Sequence, residues 1–234
     1  MKLVKKLVPV YLLVIIATLS VGFIMDKAVT VLAPAKLERP STVYIIDPGH
    51  GGIDGGATSC TGVLESQINL EIAHRVNDLF CLMGYDTIMI RTTDESVYTE
   101  GSTIAAQKIS DLKERVRITN EAENGLLVSI HQNTYSDSRY NGAQVFYAPT
   151  EGSEQLAKQL QQDMISTLNL SSTRRAKKAD SVYFLQHITC PGVLIECGFL
   201  TNPQEEANLR NAEYQKKLAA VIASSCSRFL SETE

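Results

Sequence analysis

Residues 42–57 read TVYIIDPGHGGIDGGA, and this stretch determines how the folded domain begins. The β-branched and aromatic run from Thr42 to Asp47 predicts a buried strand, and Pro48-Gly49 predicts the loop at which that strand ends. His50 and Asp54 follow within the glycine-rich loop. The stretch therefore predicts a strand whose carboxyl end carries side chains capable of chemistry.

The remainder of the chain alternates between strand-length apolar runs and helical patterns. Because such alternation is typical of parallel sheets with crossover helices, it predicts an α/β fold: a three-layer sandwich with a mostly parallel twisted sheet and helices on both faces, in a single domain. Further strands are predicted at 86–90, 126–130, 143–147, 181–185 and 192–197, and helices at 66–83, 109–123, 153–168 and 211–230.

The amino-terminal segment has the pattern of an export signal. Lys2, Lys5 and Lys6 precede Leu7 to Met25, a run of 19 residues without charge that is long enough to span a bilayer. Lysines before an apolar run orient the amino terminus towards the cytoplasm. We therefore predict that residues 1–41 form a hydrophobic signal or anchor segment with a linker, and that the catalytic domain, residues 42–234, is exported. The segment lacks a good cleavage site, which favours an uncleaved membrane anchor.

The distribution of charge excludes one class of partner. The whole chain has a net charge of −4, and residues 42–234 hold 16 Lys and Arg against 24 Asp and Glu, a net charge of −8. Nucleic-acid binding depends on neutralising phosphates with Lys and Arg, so we expect no nucleic-acid partner. The basic run Arg174, Arg175, Lys177 and Lys178 is typical of a solvated loop; the alternative is a docking site for substrate carboxylates.

Three predicted strands end in the same manner. His50, His131 and Glu196 each follow an apolar strand, and the carboxyl ends of strands in an α/β sheet gather at one edge. Catalytic zinc commonly takes two His and one carboxylate and leaves a position open for water, while a further carboxylate acts as the base. Spacing does not show which carboxylate would be the metal ligand and which the base. The four candidates are Asp47, Asp54, Glu65 and Glu196.

Other motifs and residues give weaker signals. Asp54 stands where a dinucleotide-binding loop requires its third glycine, and the chain has neither a G-x-S-x-G elbow nor an H-E-x-x-H helix. Cys197 follows Glu196 in a strand, where neighbours point to opposite faces, so Cys197 is expected in the core, as is Cys81. His74 is interpreted as a surface or packing residue, and His187 is a minor candidate for the cleft.

Four ordered motifs resemble the zinc-dependent N-acetylmuramoyl-L-alanine amidases of the amidase-3 family. They are IIDPGHGG at 45–52 with Gly62 and Glu65, RTTD at 91–94, VSIHQN at 128–133, and VLIECGFLTNP at 193–203. The resemblance covers residues 42 to about 230.

The resemblance implies zinc held by His50, Glu65 and His131, with Glu196 as the catalytic acid/base. It implies peptidoglycan as the substrate and hydrolysis of the amide between N-acetylmuramic acid and L-alanine. Asp47 is then expected either to orient a ligand histidine or to support the turn. An exported hydrolase of this kind would act at the outer face of the bacterial membrane or in the cell wall.

A lone catalytic domain behind a hydrophobic segment resembles the sporulation amidases, which act on spore cortex peptidoglycan and prepare muramic δ-lactam. Vegetative wall remodelling is the alternative role. Only 64 residues separate His131 from Glu196, which leaves little room for an inserted inhibitory helix. For the spore role, the resemblance implies a location around the forespore, and an activating protein partner is a further expectation.

Two other functions remain open at the level of the sequence. The same site could attack an amide within the stem peptide, which would make the protein a zinc peptidase. The membrane segment and acidic domain would also suit a tethered peptidoglycan-binding or regulatory domain.

Overall fold

A six-stranded mixed sheet forms the centre of the domain in the computed structural model, which describes residues 41–168 and 172–233. The strands lie in the order β2-β1-β3-β6-β4-β5. The first four in this order are mutually parallel, β4 is antiparallel to β6, and β5 is parallel to β4. Their bounds are β1 Val43–Pro48, β2 Asp86–Met89, β3 Gly125–Asn133, β4 Gln144–Tyr147, β5 Lys177–Lys178 and β6 Gly192–Phe199.

Helices cover both faces of this sheet, which confirms the predicted three-layer α/β architecture. α1, α3 and α6 pack on one face, and α2 and α4 on the other. The helices are α1 Glu65–Leu82, α2 Ile104–Glu121, α3 Ser153–Leu168, α4 Tyr183–His187, α5 Pro203–Leu209 and α6 Ala212–Thr233.

Alternation along the central strands divides the core between the two faces. On β3, Leu126, Val128 and Ile130 point towards α1, α3 and α6, while Leu127 points towards α2 and α4. Successive side chains of a strand point to opposite faces, so Ser129 and His131 share the face of Leu127. The α2/α4 face therefore receives the polar side chains at the carboxyl ends of the strands.

The structure corrects several predicted elements. Residues 181–185, predicted as a strand, lie mostly in α4, because a short apolar run does not distinguish a strand from a buried helix. The strand in this region is Lys177–Lys178. Helix α2 begins at Ile104, five residues earlier than predicted, because the Thr103 side chain accepts a hydrogen bond from the Ala106 amide and caps it. The short helix α5 was not predicted.

Two further predictions concern Cys81 and the amino-terminal segment. Cys81 is exposed rather than in the core, because it follows the fully buried Phe80 on α1 and one residue of helix turns the side chain towards solvent. The membrane segment predicted within residues 1–41 lies, except for Ser41, outside the described residues. In residues 41–168 and 172–233, no helix has the length and hydropathy needed to cross a bilayer.

Candidate active site

Three side chains from separate elements converge at the carboxyl edge of the sheet. His50 lies in the loop after β1, Glu65 is the first residue of α1, and His131 lies near the end of β3. One donor atom from each lies within 4.8 Å of the others. The Glu65 carboxylate stands between the two imidazoles, 3.4 Å from His50 Nε2 and 3.0 Å from His131 Nδ1. This set of donors is one that a transition metal can bind.

The charges of this cluster favour a cation. Burial lowers the pKa of His50, but hydrogen bonding and charge from Glu65 and Asp54 outweigh it and raise that pKa to about 9. Burial likewise raises the pKa of Glu65, yet His131 and His50 hold it well below its ordinary range. Without a metal, a proton on His50 supplies the positive charge that Glu65 requires. A metal ion therefore competes with a proton for this site.

A network of amide donors fixes the orientation of Glu65. Oε1 accepts hydrogen bonds from Asn69 Nδ2 at 3.2 Å and from the Gln132 amide at 3.1 Å, and Oε2 accepts one from the Ala57 amide at 3.0 Å. Asn69 also donates to the Gly49 carbonyl and accepts from Gln132 Nε2. Gln132 lies where the pairing of β3 with β6 shifts register. Such strand irregularities are common next to active sites.

The orientation of His50 depends on Asp54. His50 Nδ1 lies 3.0 Å from Asp54 Oδ2, so Nε2 remains for Glu65 or a metal. Lys108 Nζ lies 2.8 Å from the other oxygen of Asp54. Carboxylates that bind the second nitrogen of a ligand histidine fix its tautomer and ring orientation.

Of the two roles expected for Asp47, its contacts fit support of the turn after β1 rather than orientation of a histidine. Its carboxylate pairs with the Arg115 guanidinium and accepts a hydrogen bond from Ser129 Oγ at 2.5 Å. Burial raises the pKa of Asp47, but Arg115, His131 and Ser129 outweigh it and leave that pKa below its usual value. Asp47 is thus an internal counter-ion beneath the site, and Asp54 is the carboxylate that orients a histidine.

Two buried arginines hold the backbone of the loop after β1. Arg91 donates to the carbonyls of Pro48 and Gly49, and Arg115 Nη2 donates to that of His50 at 2.7 Å. His50 has φ of 60°, a left-handed conformation that is unfavourable for a residue with a Cβ. The guanidinium contacts compensate for this strain and present the imidazole to Glu65.

Gly49 provides the space for the second imidazole. A Cβ added at this position would lie 2.2 Å from both Cε1 and Nε2 of His131. The ring therefore rests directly against the backbone of Gly49, which leaves Nδ1 facing Glu65.

Glu196 lies beside the three converging side chains. It pairs in register with His131 across β3 and β6, on the same face of the sheet. Its Oε2 is buried and accepts no hydrogen bond from the described residues. Burial, together with the charge of Glu65, raises the pKa of Glu196 to about 7 although the histidines oppose the rise. A carboxyl group with this pKa can both accept and donate a proton near neutrality.

A cavity of about 210 Å³ opens beside His50 and His131. Leu112, Val182, Phe184 and Leu194 form its apolar wall, and Lys108 lies at its rim. Apolar surroundings with a few polar groups are typical of substrate sites.

The remaining candidates lie away from this cleft. His74 bonds the Thr92 carbonyl, and His187 is exposed and stacked on Tyr183, so neither faces the three converging side chains. Cys197 is fully buried on the opposite face of the sheet from Glu196, as expected. Lys177 and Lys178 form the edge strand β5.

Asn69 and Gln132 are functional candidates that sequence reasoning missed. Asn69 is fully buried on α1 among apolar neighbours such as Ile68 and Ile72. A polar residue on the apolar face of a helix, four residues after Glu65, was the available signal, because residues at this spacing share a face.

Comparison with known proteins agrees with this geometry. Residues 45–228 match the Amidase_3 family model, described as N-acetylmuramoyl-L-alanine amidase. A germination-specific N-acetylmuramoyl-L-alanine amidase from Bacillus subtilis is 37% identical over 201 residues, covering 85% of this chain and 84% of the relative.

Solved structures of amidases are also similar to this chain. The CwlD amidase from Clostridioides difficile, in complex with the GerS lipoprotein, superimposes with a TM-score of 0.78 at 35% identity, covering 81% of this chain and 98% of that one. An N-acetylmuramoyl-L-alanine amidase from Clostridium difficile 630 gives a TM-score of 0.71 at 31% identity, covering 82% and 98%.

Proposed function

The chain belongs to the N-acetylmuramoyl-L-alanine amidase family, whose substrate is peptidoglycan, and on this premise we propose that it works with zinc held by His50, Glu65 and His131. The single observation that carries this proposal is the convergence of three donor atoms within 4.8 Å, next to Glu196, whose Oε2 is buried. The family match favours the amide at N-acetylmuramic acid over the two alternatives, a peptidase and a regulatory domain.

The donor set suits zinc. With Nδ1 of His50 engaged by Asp54, Nε2 remains as the ligand atom, and Glu65 and His131 complete two imidazoles and one carboxylate. Zinc bound in such a site lowers the pKa of water towards neutrality and polarises the substrate carbonyl.

Glu196 acts as the general base and then the general acid of the hydrolysis. Its free Oε2 accepts a proton from the attacking water as the water oxygen bonds to the lactyl carbonyl carbon. When the carbon–nitrogen bond breaks, Glu196 returns that proton to the amine nitrogen of L-alanine.

Asn69 should control the affinity for zinc through Glu65. Asn69→Ala removes a hydrogen bond to Glu65 Oε1 and another to the Gly49 carbonyl. Loss of such supporting partners typically weakens metal affinity about 10–100-fold, so we expect that decrease in a chelator competition assay. Asn77→Ala is the matched control, because Asn77 lies on the same helix and bonds Thr87 instead. Equal zinc affinities for Asn69→Ala and wild type would contradict the positioning role.

Gly49→Ala should disable the site through one methyl group. The new Cβ would lie 2.2 Å from His131 Nε2, so the imidazole must move away from Glu65. Misplacement of a catalytic group by about 1 Å can cost about 100-fold in rate, and we expect a loss of at least that order in release of stem peptides from peptidoglycan. Gly198→Ala, whose nearest contact would be 3.2 Å from a leucine methyl group, should remain active. A fully active Gly49→Ala would refute the packing argument.

The biological setting is also a proposal. We propose that the chain matures spore cortex peptidoglycan, because one relative is germination-specific and one structural neighbour is a CwlD amidase. Muropeptide analysis of spores from a strain lacking this chain should show loss of muramic δ-lactam. An unchanged cortex would favour vegetative remodelling.

Export and a protein partner complete the proposal. Residues 1–41 would anchor the domain 42–234 outside the cytoplasm, and protease treatment of protoplasts from vegetative cells that express the chain should digest that domain. The complex of the CwlD amidase with a lipoprotein supports a partner of the same kind here. If so, co-purification from membranes should recover a lipoprotein bound to the wild-type chain.

A further inference from the structure

Two tyrosines lie exposed on the loop that follows β3. Tyr135 is 49% exposed and Tyr140 is 46% exposed, and their ring centroids lie 4.2 Å apart. We call them the tyrosine pair. Large aromatic rings on a surface commonly mark a binding site when they form a joint patch.

The backbone beneath the tyrosine pair is fixed. The Tyr135 amide donates to Thr201 Oγ1 at 3.1 Å, and Asn202 Nδ2 donates to the Tyr140 carbonyl at 3.3 Å. At the end of the loop, the Gly142 amide donates to the buried carboxylate of Glu205 at 2.8 Å. Rings held by a rigid loop lose little entropy when they bind a ligand.

Aromatic packing supports the pair from below. Tyr140 lies 6.3 Å from the buried ring of Phe199, and the Arg174 guanidinium lies 4.9 Å from the centroid of that same ring. Arg174 also donates to the Asn141 carbonyl at 3.0 Å. One member of the basic run is therefore a structural part of this surface rather than a freely solvated charge.

A polar depression of about 630 Å³ adjoins Tyr140. Its lining includes Asp137, Arg139, Asn141 and Arg174. Amide, carboxylate and guanidinium groups offer both donors and acceptors, while the neighbouring ring offers an apolar face. A sugar has the matching chemistry, because it carries hydroxyl and acetamido groups around a ring whose faces are lined by C–H groups.

The tyrosine pair follows closely in the chain after His131, at the carboxyl edge of the sheet. His131 and Tyr135 are four residues apart, so their Cα atoms lie at most about 14 Å apart. The sugar that carries the scissile amide belongs to a polymer, so neighbouring sugars are available to contact protein around His131. The tyrosine pair stands on the loop that leaves that same strand end.

We propose that the tyrosine pair and the adjoining polar depression bind the glycan strand of peptidoglycan, next to the sugar whose amide is cleaved. This inference rests on the proposed function and adds to it a subsite for the polysaccharide. The rings stack on sugar faces, and the depression supplies hydrogen bonds to hydroxyl and acetamido groups.

The test separates glycan binding from amide cleavage. Calorimetric titration of the full chain uses glycan strands from which the stem peptides have been removed, so no scissile amide is present. Wild type should bind, and Tyr135→Ala/Tyr140→Ala should bind roughly tenfold more weakly, equivalent to about 1.4 kcal/mol. Tyr135→Phe/Tyr140→Phe keeps both rings and should bind like wild type. Leu82→Ala removes an exposed apolar side chain at the end of α1 and is the matched surface control.

Kinetics distinguish failure of this inference from failure of the proposed function. On intact peptidoglycan the double alanine variant should show a raised KM and an unchanged kcat, and on a muropeptide with a single sugar it should match wild type. Wild type that cleaves neither intact peptidoglycan nor the muropeptide, even with the co-purified lipoprotein added, would refute the amidase assignment, whatever the calorimetry shows. Equal glycan affinity of wild type and the double alanine variant would overturn the glycan subsite. The tyrosine pair would then be a candidate surface for binding a protein partner.

Discussion

Glu196→Gln is expected to lower kcat for stem-peptide release by roughly 10²–10⁴-fold, the usual contribution of general acid–base catalysis. The amide has nearly the same shape as the carboxyl group but can neither accept nor return the proton. Glu196 makes no hydrogen bond through Oε2 in the described part of the chain, so the substitution should leave the fold unchanged. Zinc content should also remain that of wild type, since the proposed ligand atoms belong to His50, Glu65 and His131.

A distant carboxylate provides the control for this substitution. Glu154→Gln changes a residue in the first turn of α3 and should keep wild-type activity. Full activity of Glu196→Gln would refute the acid/base role. Loss of zinc together with activity would identify Glu196 as part of the metal site instead.

Arg115→Met is expected to destabilise the fold by about 3–5 kcal/mol, the usual cost of leaving a buried charge without its partner. Arg115 and Asp47 are 3% and 0% exposed, and among the described residues Asp47 keeps only Ser129 Oγ as a hydrogen-bond donor once the guanidinium is removed. Chemical denaturation of the full chain measures the change. Arg117→Met removes an exposed arginine from the same helix, which pairs with Glu114 and Glu121, and should have little effect on stability.

The pH dependence of this penalty has a defined sign. In wild type the pKa of Asp47 lies below its usual value, so the pair stabilises the fold above the unfolded pKa of about 3.9 and loses that contribution as the pH falls through the folded pKa. In Arg115→Met, burial without a partner should raise the pKa of Asp47, and protonation should then relieve the penalty. The difference in free energy of unfolding between Arg115→Met and wild type should therefore become smaller as the pH falls from about 7.5 to about 4.

A second substitution tests whether the unpaired charge of Asp47 causes the loss of stability in Arg115→Met. Arg115→Met/Asp47→Asn removes the buried charge and should be more stable than Arg115→Met alone. A double variant no more stable than the single variant, with no dependence on pH, would contradict the account.

The sequence predicted the elements that carry the site because strong local signals mark them. The apolar runs before His50, His131 and Glu196 are continuous, and the carboxyl ends of parallel strands meet at one edge. The same alternation placed Cys197 on the opposite face from Glu196. Spacing could not assign the carboxylates, since Glu65 reaches the histidines only through the fold of the loop before α1.

The supporting contacts could not be predicted from local pattern. Asp47 and Asp54 are equally plausible partners for a histidine in the sequence, and only the tertiary structure shows that Arg115 and Ser129 engage Asp47. Helix α4 was mistaken for a strand because its apolar run is too short to show a period. The tyrosine pair lies between the predicted strands 126–130 and 143–147, and nothing in its sequence shows that Glu205 and Asn202 fix the loop.

The most direct test of the central claim measures zinc content and amide cleavage on one sample of the purified full chain, before and after chelation and with zinc restored. We predict about one zinc per chain and new L-alanine amino ends from peptidoglycan, both lost on chelation and both recovered with zinc. Cleavage that persists in the metal-free protein would contradict the account, as would a chain that binds no zinc.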